Sequence, residues 1–156
     1  MKRFFFIVLA IGAAGLVANA QNSFTAATGG VPESVSNAFQ SQFAASQVQW
    51  ITGEQEIEAQ FKKDGVASFA FYSLQGQYLG LEQESKMETF PAQATTFLSN
   101  SFLDSGHYTL LSARSRTESE PNQNLYVALM QHNQNNSKIK LFFDTEGKLI
   151  RRQLFQ

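Results

Sequence analysis

One motif recurs in this chain and limits what it can fold into. Phe142-Phe143-Asp144-Thr145-Glu146-Gly147-Lys148-Leu149-Ile150 reads as strand, tight turn, strand. Phe71-Tyr72-Ser73-Leu74-Gln75-Gly76-Gln77-Tyr78-Leu79 has the same pattern 71 residues upstream. Glycine at the last turn position supplies the positive φ that a tight hairpin requires. A chain with the same hairpin twice invites a search for what precedes each copy.

A helix precedes each. Val31-Pro32 opens an amphipathic segment ending at Phe43, with Val31, Val35, Ala38, Phe39 and Phe43 on one face and Pro32 suited to the first turn. Phe90-Pro91 opens a second, where Ala94, Phe97, Leu98 and Phe102 repeat the first helix's apolar positions at an offset of 59. Thr89 is a candidate cap for the second helix.

Strands fill the remainder. The first copy predicts strands at Val48–Ile51, Glu56–Lys62, Ala67–Tyr72 and Tyr78–Glu84. In Glu56–Lys62, Ile57, Ala59 and Phe61 alternate with Glu56, Glu58, Gln60 and Lys62, the signature of an antiparallel strand with one buried face. In the second copy Tyr108–Arg116 is a strand and Thr117–Asn124 a polar loop. Leu125–Gln131 follows, with Tyr126, Ala128 and Met130 matching Ile57, Ala59 and Phe61 at an offset of 69, and Leu149–Phe155 ends the chain. Consecutive strands with one helix per copy indicate an α+β fold, an antiparallel sheet with helices on one face. The expected organisation is two tandem helix-plus-four-strand repeats, 31–86 and 87–156, forming one compact unit.

Residues 1–20 read as a signal peptide: Lys2 and Arg3, an uncharged apolar run from Phe4 to Val17, then Ala18-Asn19-Ala20 before the cut. Residues 21–30, small and polar and ending in Gly29-Gly30, read as a flexible leader. The expected location is therefore the periplasm or the medium, with no membrane span after cleavage. From Gln21 onward, 10 Lys and Arg (12 less Lys2 and Arg3) stand against 13 Asp and Glu, a net charge of −3. That balance gives no electrostatic footprint for nucleic acid. The chain has no cysteine, which excludes thiol nucleophiles and disulfide staples and leaves stability to the core.

The residues from Val31 to Gln156 resemble the PepSY-like domain of exported bacterial proteins, itself similar to the β-lactamase-inhibitor-protein fold. The resemblance is carried by Val31-Pro32 with the Val35/Phe39/Phe43 helix, Val48-Gln49-Trp50, Ile57-Glu58-Ala59-Gln60-Phe61 and the hairpin Phe143–Leu149. Ser73 departs from the usual hairpin Asp, and the second copy lacks a tryptophan equivalent to Trp50. The resemblance implies an exported protein without known chemistry and, by analogy, a protein-binding or inhibitory role.

Catalytic, cofactor and metal sites are not expected. His107 and His132 read as surface residues without metal-ligand spacing, and no nucleophile elbow or phosphate loop is present. Glu56 with Glu58, and Glu82 with Glu84, share strand faces, and the alternation places the first pair on the solvent side. Asp144–Gly147 is a turn rather than a calcium loop.

The face turned away from the helices is more informative. Alternation puts Phe69, Phe71, Val127, Leu129 and Phe142 there, together with Leu125. An apolar cluster on an open sheet face marks an interface, for a protein or peptide or for a second copy of the chain. The alternatives are that these residues cover one another or pack against the leader. The expectation is a non-catalytic module that binds, or binds and inhibits, a protein or peptide. A self-associating envelope protein comes second and a carboxylate-based enzyme last.

Overall fold

The structure is a computed structural model, and it describes residues 30–45 and 47–155. The signal peptide and almost all of the expected leader lie outside the described residues. Eight strands form one antiparallel sheet in chain order: β1 (Gln49–Thr52), β2 (Glu56–Lys63), β3 (Val66–Ser73), β4 (Tyr78–Ser85), β5 (Tyr108–Glu118), β6 (Gln123–His132), β7 (Lys138–Phe143) and β8 (Leu149–Phe155). Helix α1 (Glu33–Phe43) precedes β1, and helix α2 (Ala92–Leu98), continued by a wider turn at Ser99–Leu103, sits between β4 and β5. The fold is α+β, and pairing between β4 and β5 makes the sheet continuous across its middle. No helix among the described residues is long and apolar enough to cross a membrane.

Both helices start one residue later than their prolines suggest. Pro32 and Pro91 occupy the N-cap position with extended backbone (ψ 141° and 144°), so proline closes the preceding segment and the helix begins after it. Thr89 does not cap α2; its hydroxyl donates to the Lys86 carbonyl within a 3₁₀ turn. At the other end of α1, Ala44 takes the left-handed conformation that glycine usually supplies (φ 46°) and donates to the Gln40 carbonyl.

Each helix lays its apolar stripe on one half of the same sheet face. Val35 and Phe39 pack with Ile57, Ala59, Phe61, Ala70 and Tyr72. Phe90, Ala94, Leu98 and Phe102 pack with Ala113, Ala128, Met130, Leu141 and Phe143. Phe39 meets Trp50 and Phe61 edge-on, with ring centroids 5.2 and 5.0 Å apart. Each fully buried aromatic of this kind contributes about 1.5–3 kcal/mol of transfer free energy.

The two hairpins also hold the helices in place. Gly76 (φ 92°) lies so close to α1 that a Cβ would meet Ser34 at 3.1 Å. Gly147 (φ 91°) lies closer still to α2, where a Cβ would stand 2.7 Å from the Ala94 nitrogen. In the second hairpin Asp144 accepts the Glu146 and Lys148 backbone N–H groups, which fixes the turn.

One connection is shorter than its composition suggests. Thr117–Asn124 is expected as a loop, but β5 runs to Glu118 and β6 restarts at Gln123. Thr117 pairs with Asn124 and Glu118 with Gln123, including a Thr117 hydroxyl bond to Asn124 Oδ1 of 3.0 Å. Polar side chains that bond one another across the ladder sustain strand there.

A charged groove on the concave face

The sheet curls away from the helices. Ile51 of β1 and Glu58 of β2 line the same groove as Leu129 of β6 and Lys140 of β7, although β3, β4 and β5 lie between them in the sheet. Strand twist accumulates into such coiling, and the register shift between Phe71 and Tyr72 adds to it. Gly80, opposite Phe71, allows the close approach: a Cβ there would lie 2.7 Å from the Thr117 carbonyl oxygen of β5.

On this concave face the structure places Phe69, Phe71, Leu125, Val127, Leu129 and Phe142, as alternation requires: Phe71 is opposite Glu58, and Phe142 is opposite Val127. They do not form an exposed apolar surface. Phe71, Val127 and Phe142 are each 1% exposed, Phe69 is buried and only Leu129 is half-buried. Their cover is a layer of cations. The Arg114 guanidinium lies 3.6 Å from the Phe69 ring centre, and Arg151 lies 3.8 Å from that of Phe142. Arg116 and Lys140 both sit over Phe71, at 4.8 and 4.9 Å. Cations over aromatic faces are attracted by the ring quadrupole, more strongly when desolvated.

One carboxylate holds this layer together. Glu82 on β4 is fully buried, contrary to the usual outward place of a glutamate on an alternating strand. Its Oε1 accepts from Arg116 Nη1 (2.9 Å) and Lys140 Nζ (2.6 Å), and its Oε2 accepts from Arg114 Nη1 (3.1 Å). Burial alone would raise the Glu82 carboxyl, but Lys140, Arg114 and Arg116 together outweigh it and hold the group below the ordinary carboxylate range. Lys140 is shifted down by burial, opposed by Glu82 and reinforced by the two neighbouring arginines. A second carboxylate, Glu118, takes Arg116 Nε at 3.2 Å and Arg151 Nη2 at 3.1 Å.

Glu58 behaves oppositely. It is half-buried in the groove rather than on a solvated face, and burial raises its carboxyl despite the Gln60 side-chain bond and the nearby Lys140 and Arg114. The groove encloses a cavity of about 90 Å³. Two buried polar atoms on its wall have no hydrogen-bond partner, Arg114 Nε and Ser112 Oγ.

Sequence reasoning placed the aromatic residues of this face but missed Arg114, Arg116 and Lys140, and it weighed Glu82 only as one of an acid pair with Glu84. The signal was present: Arg114, Arg116 and Glu118 alternate along one strand on the face that holds Phe71 and Phe142. His107 and His132 lie near each other with parallel rings 6.3 Å apart. No group of three or more His, Cys, Asp or Glu able to hold a metal occurs among the described residues.

No family model matches this chain, and no curated protein matches its sequence. Solved structures share its fold. A DUF2874 family protein from Bacteroides uniformis ATCC 8492 superposes with a TM-score of 0.58 at 16% identity, covering 79% of this chain and 88% of that one. A protein from Bacteroides eggerthii DSM 20697, provisionally described as periplasmic, gives 0.60 at 16% identity over 81% and 90%. A BLIP-like protein from Bacteroides fragilis NCTC 9343 gives 0.55 at 17% identity over 81% and 89%. The architecture is thus BLIP-like.

Proposed function

We propose that this chain is a non-catalytic, exported binding module that receives a protein or peptide on the concave face of its sheet. The observation that carries the reading is the groove itself, walled by β1 and β2 on one side and by β5, β6 and β7 on the other. A concave site with converging polar groups over an apolar floor suits ligand capture. The names of the Bacteroides neighbours, one periplasmic and one BLIP-like, support an exported location and a protein partner. An inhibitory outcome is part of the same proposal.

We read the chain as two PepSY-like repeats, 31–86 and 87–156, preceded by a signal peptide and leader. Gly76 against Ser34 and Gly147 against Gln93 support that division, because both pairs keep the offsets that relate the two copies.

The groove carboxylates do not favour an enzyme. Both oxygens of Glu82 are engaged by cations, which makes it a structural counter-charge rather than a general base. The test is affinity capture from the envelope fraction of the native cell. Leu129→Glu and Ser112→Tyr, which alter the groove wall, should lose the captured partner while melting as folded proteins. Equal capture by folded variants would overturn the reading.

A second reading, self-association, has an observation of its own. Among the described residues, strand β8 is a sheet edge with Leu154 77% exposed and Ile150 46% exposed. Sedimentation at micromolar concentration separates the two, since a strict monomer argues against edge pairing.

A further inference from the structure

We infer that the groove is a carboxylate slot, seating an acidic side chain of an extended partner segment against Arg114, Lys140 and Ser112. This rests on the binding reading above and names the chemistry of the partner.

The first support is unused hydrogen-bonding capacity. Arg114 donates to Glu82 through Nη1 alone, and its Nε finds no acceptor although it is buried. Ser112 stands two residues earlier on the same face of β5, about 7 Å along the strand, and its Oγ is unpartnered as well. Both belong to the wall that also carries Lys140. Buried polar groups are nearly always paired, so two orphans on one groove wall call for an acceptor from outside the chain.

The second support is charge. Arg114, Arg116, Lys140 and Arg151 are four cations facing three carboxylates, Glu58, Glu82 and Glu118. One positive charge is left over within that set. Glu82 is shared by Arg114, Arg116 and Lys140, and Glu118 by Arg116 and Arg151, so four cations meet two carboxylates through direct ion pairs. A single carboxylate neutralises that surplus, whereas a dianionic phosphate overcompensates it.

The third support is size and surroundings. A cavity of about 90 Å³ leaves room for a carboxylate and its methylene. Leu129, Val127 and Ile51 border the slot and would take the aliphatic stem. The formal net charge of −1 for the whole chain argues against general attraction of polyanions, so recognition would be local.

The experiment is a titration of the purified protein with hexaglutamate, hexaglutamine and inorganic phosphate, each at low and moderate salt. It is followed by the ¹⁵N signal of the Arg114 Nε–Hε group and the methyl signals of Val127 and Leu129. Hexaglutamate should move these signals saturably, weaken at least several-fold at the higher salt and bind at least tenfold less tightly to Ser112→Tyr. Hexaglutamine should leave them in place. The wild-type titration decides the matter even if Ser112→Tyr fails to fold. No movement with hexaglutamate, or equal movement with phosphate, overturns the carboxylate slot. If hexaglutamate fails while groove variants still lose the native partner, the binding reading stands and only the acidic preference falls. If hexaglutamate binds while capture ignores the groove, the slot chemistry stands and the binding reading falls.

Discussion

Phe142 and Phe143 are neighbours on β7, buried equally well by opposite means. Phe143 points to α2 and is sealed by Phe90, Phe97 and the aliphatic core. Phe142 points into the concavity and is sealed by Arg151, Lys140 and Arg116, which Glu82 and Glu118 hold in place. The helix face is closed by packed hydrocarbon, an arrangement that depends little on salt or pH. The concave face is closed by ion pairs on flexible stems, which respond to both and can exchange one partner for another. The second kind of cover suits a surface that must meet another molecule. It also means that such a molecule meets charge first and aromatic rings only beneath it.

The largest expected effect is on the carboxylate that organises the cations. Glu82→Gln leaves Arg114, Arg116 and Lys140 buried without their common counter-charge. It should cost about 3–5 kcal/mol in denaturant unfolding, as the breaking of a buried ion cluster does. Phe143→Ala should cost a comparable amount, about 3–5 kcal/mol, because α2 and the sheet cannot collapse into the space. Phe142→Ala should cost about 1 kcal/mol less, because the long cationic side chains above it can settle into part of the cavity. Only the Phe142 and Glu82 variants should change how stability depends on salt. Equal salt dependence in the Phe143 variant would erase the distinction between the faces.

Gly80→Ala tests the curvature that both faces share. Its Cβ would stand 2.7 Å from the Thr117 carbonyl, so β4 and β5 must part. A loss of about 1–3 kcal/mol follows from such overpacking, with the larger spectral changes on the concave side.

The smallest effect should come from Glu58→Gln. The Glu58 carboxyl is raised in the folded chain, first by burial, so folding favours its protonated form. That preference stabilises the fold fully below the ordinary carboxylate range, and it is lost as pH rises through the folded value. At pH 7 the ionised group is therefore a small liability. Glu58→Gln should melt slightly higher than wild type at pH 7 and equal to it near pH 4. Glu82 works the other way: with its carboxyl depressed, its contribution is present above the ordinary range and disappears as pH falls through the folded value.

Much of this architecture is legible in the chain itself. The Ile57/Ala59/Phe61 alternation and its echo in Tyr126/Ala128/Met130 lie on the helix-bearing face, and Gly76 and Gly147 take positive φ in their turns. The strands that are hard to read are those whose partners are polar, as at Thr117 and Asn124. The face of the aromatic residues was also legible, but their cover was not. Periodicity assigns a side chain to a face without reporting how far the sheet curls. Glu58 therefore looked solvated, and Glu82 read only as sharing a strand face with Glu84. Their burial depends on Gly80 and on cations from β5 and β7, brought together only by the folded sheet.

The most direct measurement is a ¹³C carboxyl titration of Glu58 and Glu82 in one sample, followed by NMR from neutral pH downward. Glu58 should begin to protonate above the ordinary glutamate range, while Glu82 should stay ionised until the protein unfolds cooperatively in acid. If Glu82 titrates with or before Glu58 in the folded protein, the concave face is not held by its cation cluster, and the contrast between the two faces fails.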